Sequence, residues 1–218
     1  MMVSRALALA IGVLVSAGCG AQAISLRPQA RSFTPRDYEE VYEAWTRDAD
    51  EFEFGALSDV LNVTATFQSW ELRWAYVVRY AHDYSLSTEA RTEMLRASLA
   101  DAEQHHRFFV TLSGTNFRES DLSREESAWR VLLIDQRGAQ SVPVEVQKVD
   151  PTAAEKVYFP SISPFRHAYR IVFPAFRPDG SPTIPPDADY VLLRFTGARG
   201  VVDLRWEFTA GPTAPPAD

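Results

Sequence analysis

Tyr190-Val191-Leu192-Leu193-Arg194-Phe195-Thr196, then Gly197-Ala198-Arg199-Gly200, then Val201-Val202-Asp203-Leu204-Arg205-Trp206-Glu207-Phe208, is the stretch whose reading decides the fold class. Two arms rich in β-branched and aromatic residues flank a short loop with glycine at both ends, which is hairpin chemistry. In the second arm Val202, Leu204, Trp206 and Phe208 alternate with Asp203, Arg205 and Glu207, so one face is apolar and the other wet.

The same period of two recurs upstream. Leu61, Val63, Ala65 and Phe67 alternate with polar residues, as do Phe108, Val110 and Leu112, then Trp129, Val131 and Leu133. Val142, Val144 and Val146 form a further run with Pro143 inside it, which reads as an edge strand because proline cannot donate to a ladder. Tyr169, Ile171 and Phe173 complete seven strands.

Three helices interrupt this pattern. Thr34-Pro35-Arg36-Asp37 is a helix start, with a capping threonine, a first-turn proline and an acid three residues after the cap. Tyr38, Val41, Tyr42 and Trp45 follow on one face. Ser69 caps a second helix with Trp70, Trp74, Val77, Ala81 and Tyr84 as its stripe. Ser87 or Thr88 caps a third, with Leu95, Leu99 and Ala102 facing in. The chain is therefore expected to be α+β: an antiparallel sandwich of about seven strands, immunoglobulin-like, with an N-terminal helix and a helical hairpin inserted after the first strand. The globular domain spans 34–208, the insertion about 69–106, and the proline- and alanine-rich residues 209–218 read as a disordered tail.

Composition narrows the function. The chain has 218 residues, 46% of them hydrophobic and 23% charged, with a net charge of −7 and one cysteine. An acidic chain has no basic field to hold nucleic acid. One cysteine excludes an internal disulfide or a multi-cysteine zinc site. No phosphate loop, dinucleotide fingerprint, nucleophile elbow or His-Glu-x-x-His motif occurs.

Arg5 precedes the uncharged apolar run Ala6–Val15, and Ser16-Ala17-Gly18 leads into Cys19. The run is too short to span a membrane, which takes about 20 apolar residues, and has the layout of a secretory signal. It resembles the signal of bacterial lipoproteins, whose lipobox ends in small residues before a cysteine. The resemblance implies that 1–18 is a signal peptide and that Cys19 is the lipid attachment residue, carrying diacylglycerol and an amide-linked acyl chain such as palmitate. Two or more chains anchor stably where one does not. Ser16 stands where leucine is commoner, which leaves cleavage after Ala17 or Ala21 as the alternative. Gly20, in place of the aspartate of inner-membrane retention, implies the outer membrane, facing the periplasm. Residues 19–33 read as a lipidated tether.

Trp45-Thr46-Arg47, Ala65-Thr66-Phe67, Trp129 with Leu132-Leu133, Tyr169–Pro174 and Leu204-Arg205-Trp206 are similar to a group of uncharacterised proteobacterial lipoproteins. These are packing residues, and the similarity implies a single domain without implying an activity.

Candidate chemistry is sparse. Glu103, His105 and His106 near a helix end could offer metal ligands, but adjacent helical side chains diverge by about 100°, and histidine there also suits the helix dipole. Asp48, Asp50, Glu51 and Glu53 lack the order of a calcium loop and read as a solvated linker. The five tryptophans fall on apolar stripes and read as core. No catalytic, metal or cofactor residue is assigned. The expected role is a non-enzymatic protein-interaction module of the envelope, binding a partner protein by strand pairing. The alternative is a small-ligand or glycan carrier with a pocket between hairpin and sheet, and a third reading is an envelope hydrolase.

Overall fold

Thr34 begins the folded helical part as its sequence implies: its backbone N–H donates to the Asp37 carboxylate at 2.6 Å, and one 3-10 turn over Pro35–Asp37 leads into helix α1, Tyr38–Trp45. All four residues of its apolar stripe are buried. The computed structural model describes residues 24–29, 31–53, 58–114, 116–118 and 120–209. Cys19, the signal segment and positions 210–218 of the tail lie outside them.

After α1 come β1 (Thr46–Glu53), β2 (Ser58–Phe67), α2 (Trp70–Asp83), α3 (Thr88–Gln104), β3 (His105–Ser113), β4 (Trp129–Asp135), β5 (Gln140–Ser141), β6 (Glu145–Val149), α4 (Ala153–Tyr158), β7 (His167–Pro174), β8 (Tyr190–Gly197) and β9 (Gly200–Glu207). They make two antiparallel sheets, ordered β1-β2-β3-β7-β6 and β5-β4-β8-β9. The chain is thus α+β. The β8–β9 hairpin pairs Leu193 with Leu204 and Val191 with Trp206, closing at Gly197 and Gly200. Gly197 has no room for a side chain, since a Cβ there would lie 1.9 Å from the Ala128 carbonyl oxygen.

The sheets meet through aromatic rings. Trp206 of β9 packs against Phe108 of β3 and Phe67 of β2, with centroids 5.4 and 6.2 Å apart. Its indole N–H donates to the Trp45 carbonyl at 2.9 Å, so α1 is tied to the same centre.

Three expectations are corrected. The acidic stretch from Asp48 is strand β1, not a linker. Thr46 and Thr66 pair their hydroxyls at 2.9 Å, the Thr64 hydroxyl donates to Asp48, and Asp48 and Asp50 stay exposed. An edge strand tolerates such charge because it has one neighbour and gains protection from edge-to-edge association. The Val142–Val146 run is not one strand. The chain crosses between sheets at Pro143, with β5 on one sheet and β6 on the other. Described residues therefore hold nine strands where seven were expected, and the helical hairpin follows the second strand, not the first.

The tether expectation for 19–33 fails from Ile24 onward. Ile24 is buried and bridges Phe208, and its carbonyl accepts from the Thr209 N–H at 3.0 Å. The Trp70 indole donates to the Ser25 carbonyl at 3.0 Å. An isoleucine that finds an apolar slot gains roughly 2 kcal/mol by burial, which outweighs the freedom of a tether at that residue.

Candidate functional site

Helices α2 and α3 start at serine caps: the Ser69 hydroxyl accepts from Leu72 N–H and the Ser87 hydroxyl from Ala90 N–H, each at 3.2 Å. The turn between them passes through Ser85 at φ 51°. Helix α2 buries Trp70, Leu72, Ala75, Val77 and Ala81 and packs chiefly on α3, α1 and the 3-10 turn. Helix α3 buries no residue. Leu95, Leu99 and Ala102, read from sequence as its inner face, are only half-buried. The hairpin therefore does not close down on the sheet.

The tie from α3 to α2 and to the sheet is ionic. Arg73 of α2 is buried within the hairpin, its side chain 8% exposed. Its Nε donates to the Gln68 carbonyl at 2.8 Å and Nη1 to the Ser98 carbonyl at 2.9 Å. Nη1 also pairs with Asp101 of α3 at 2.9 Å. Arg107 of β3 grips the same carboxylate with two nitrogens, at 2.7 and 2.8 Å, and His105 Nδ1 lies 3.1 Å away. The Arg107 hydrogen bonds, helped by Arg73 and opposed by burial, hold the Asp101 carboxyl well below the usual carboxylate range. Burial pushes the Arg73 guanidinium below its ordinary value, partly offset by Asp101. One carboxylate thus joins α2, α3 and β3.

Two cavities flank this cluster. The larger is a cleft of about 320 Å³ between the hairpin, the sheet and the N-terminal segment, lined by Leu26, Trp70, Trp74, Leu99, Ala102 and His106 among others. Of the five tryptophans, four are core as the sequence implies. Trp74 is half-buried and borders this cleft. The second cavity, about 200 Å³, is lined by Arg73, Tyr76, Phe109, Phe159, Glu155 and Arg170 among others. Sequence reasoning missed Arg73, because a polar residue beside a helical stripe is ordinarily solvated.

His106 is one of five polar residues that line the larger cleft, with Gln68, Ser69, Glu103 and His105. Its ring meets the Phe67 ring edge-on at 5.9 Å, and its nitrogens make no hydrogen bond within the described residues. Burial, with the nearby charge of Arg73 and then His105, lowers its pKa from 6.5 to about 4. The imidazole is therefore neutral at neutral pH, one nitrogen a donor and the other an acceptor. Glu103 and His105 border the cleft as well. Among the described residues no three His, Cys, Asp or Glu side chains gather into a group that could hold a metal ion.

A depressed histidine pKa makes stability depend on pH. The unfolded chain takes up a proton near pH 6.5 and the folded chain only near 4. Stability contributed by the neutral ring is fully present above the unfolded value and falls as pH drops between the two. Between pH 7.5 and 5.0 the loss from this residue is expected to be about 2 kcal/mol. Urea unfolding at the two pH values measures it, and His106→Gln should flatten the dependence by that amount. An unchanged pH dependence in the variant would contradict the assignment.

In comparisons with known proteins, the chain matches no family model, no curated protein and no solved structure.

Proposed function

We propose that the chain is a lipid-anchored protein of the bacterial envelope, held through Cys19 at the outer membrane and facing the periplasm, that acts as a non-enzymatic carrier of a small ligand. The ligand lies in the cleft between α2, α3 and the five-stranded sheet. The observation that supports this reading is a space of about 320 Å³ bordered by Trp74, Leu99 and the neutral ring of His106. Binding sites of this kind are concave and mostly apolar, with few polar groups to fix orientation. The fitting ligand has an apolar body and one uncharged hydrogen-bonding group, such as a hydroxyl, to engage the neutral imidazole. We take the frame to be a β-sandwich of immunoglobulin-like kind, supported by the contact of Trp206 with Phe67 and Phe108 across the sheets.

The cleft is tested by titrating the protein with Nile red, an uncharged apolar dye. Saturable enhancement of its emission is expected. Ala102→Trp, on a helix without buried residues, fills the cleft and is expected to weaken binding by tenfold or more, about 1.4 kcal/mol, with little change in melting temperature. Equal binding by the variant would overturn the site. Anchoring is tested by the intact mass of protein from its native membrane: a species starting at Cys19 and heavier by a diacylglyceryl group and an acyl chain supports it. An unmodified soluble species cut elsewhere sinks it.

A second reading, a protein partner added as a strand, is favoured by β6. This strand pairs with β7 alone, and beside it Val142 and Val144 are 58% and 63% exposed. An unpaired edge flanked by apolar side chains is what strand addition uses.

A further inference from the structure

The three nitrogens of Arg73 are unequally served. Nε and Nη1 have acceptors, as described above, whereas Nη2 is buried without a hydrogen-bond partner among the described residues. Leaving a buried donor unmade costs about 1–3 kcal/mol, and more on a charged group. Arg73 lines the cavity of about 200 Å³, which shares only Gln68 with the larger cleft.

The surroundings of this cavity favour an anion with an apolar body. Phe109 and Phe159 stack at 4.2 Å between centroids and form one apolar wall with Tyr76. Arg170 pairs with Glu155 on another. Of the residues that line the cavity, Arg73 and Arg170 are cationic and Glu155 alone is anionic. Asp101, outside the lining, is shared between Arg73 and Arg107, so the lining itself carries one positive charge in excess. A water molecule could take the spare N–H but would leave that charge uncompensated and the aromatic walls wet. A phosphate dianion would have to give up its hydration against two phenyl rings for a single spare guanidinium nitrogen. A carboxylate carries one charge, matches guanidinium geometry and can bring a ring to the apolar wall.

We propose that this cavity is a second binding site, for a small aromatic monocarboxylate whose oxygens accept from the spare nitrogen of Arg73 and whose ring lies against Phe109 and Phe159. The site is independent of the Nile red cleft, so the failure of either leaves the other standing.

Benzoate and its uncharged isostere benzamide are the probes, added to the ¹⁵N-labelled mature protein. Benzoate is expected to shift the amide signals of Arg73, Ser98 and Phe109 saturably. It should bind at least about tenfold more tightly than benzamide, the effect of one charge-assisted hydrogen bond. Ser98 borders the cavity from the exposed helix α3, so Ser98→Leu should keep the fold and remove binding by filling the space. Arg73→Gln should reduce benzoate affinity to that of benzamide. Should that variant unfold, Ser98→Leu and the benzoate-to-benzamide ratio still decide. Equal affinity for the two probes would overturn the proposal, as would no saturable shift up to about 50 mM, shifts confined to other residues, or undiminished binding by Ser98→Leu.

Discussion

Trp206→Ala is expected to lower the stability of the domain by about 3–5 kcal/mol, a large share of the 5–15 kcal/mol typical of a folded chain. Trp206 is fully buried and fills the space where β9 faces β2 and β3. Its ring touches Phe108 and Phe67, and Arg47 lies over it at 5.9 Å. Truncation removes these contacts, opens a cavity that both sheets line, and leaves the Trp45 carbonyl without the indole donor. Trp206→Phe keeps most of the packing and loses the hydrogen bond, so its cost should be nearer 1–2 kcal/mol. Guanidinium unfolding followed by circular dichroism separates the two variants. A Trp206→Ala protein within about 1 kcal/mol of wild type would show that the sheets do not meet there as described.

Asp101→Asn is expected to cost about 3 kcal/mol, because it leaves the buried Arg73 guanidinium without its counter-ion while preserving shape. Arg107 also loses its partner, but it is exposed enough to be solvated. The diagnostic comparison is the pair Arg73→Met with Asp101→Asn. Removing both charges should cost less than Asp101→Asn alone, since no unpaired charge then stays buried. Acid should act in the same direction. The Asp101 carboxyl is depressed below its ordinary 3.8, so its contribution is fully present above that value and is lost only as pH falls through the lower native value. This window lies below the one assigned to His106, and the two losses can be measured separately. Double-variant stability equal to the sum of the single losses would contradict the coupling.

Much of the fold was legible because local signals agreed with packing. Ser69 and Ser87 mark helix starts by hydroxyl chemistry that acts within one turn, Thr34 does so through a backbone N–H bonded to the Asp37 carboxylate, and the stripe Tyr38, Val41, Tyr42 and Trp45 is buried on one face. Strands β8 and β9 alternate cleanly because one face of the hairpin is buried and the other wet. Strand β1 was hidden because its stability comes from the cross-strand partners Thr64 and Thr66, while its own acids argue for solvent. Helix α4 starts at a local signal of the same kind. Thr152 and Glu155 form a capping box, each side chain bonding the other's backbone N–H, at 3.2 and 2.8 Å.

The site was less legible than the fold. The cleft joins Leu26, Trp74 and His106 from segments far apart in the chain, and no periodicity reports such a convergence. The reading of α3 came closest: Leu99 and Ala102 border the cleft, while Leu95, Leu99 and Ala102 are all only half-buried. Arg73 and Asp101 were legible only as charges, since their pairing depends on how α2 and α3 pack.

The most direct test of the proposed carrier role is native mass spectrometry of the protein released from its own membrane, beside the Ala102→Trp variant purified in the same way. The expected result is a small molecule bound to the wild-type protein, in addition to any lipid on Cys19, and absent from the variant. A wild-type protein carrying nothing that the variant lacks would contradict the account, and the β6 edge would then become the surface to pursue.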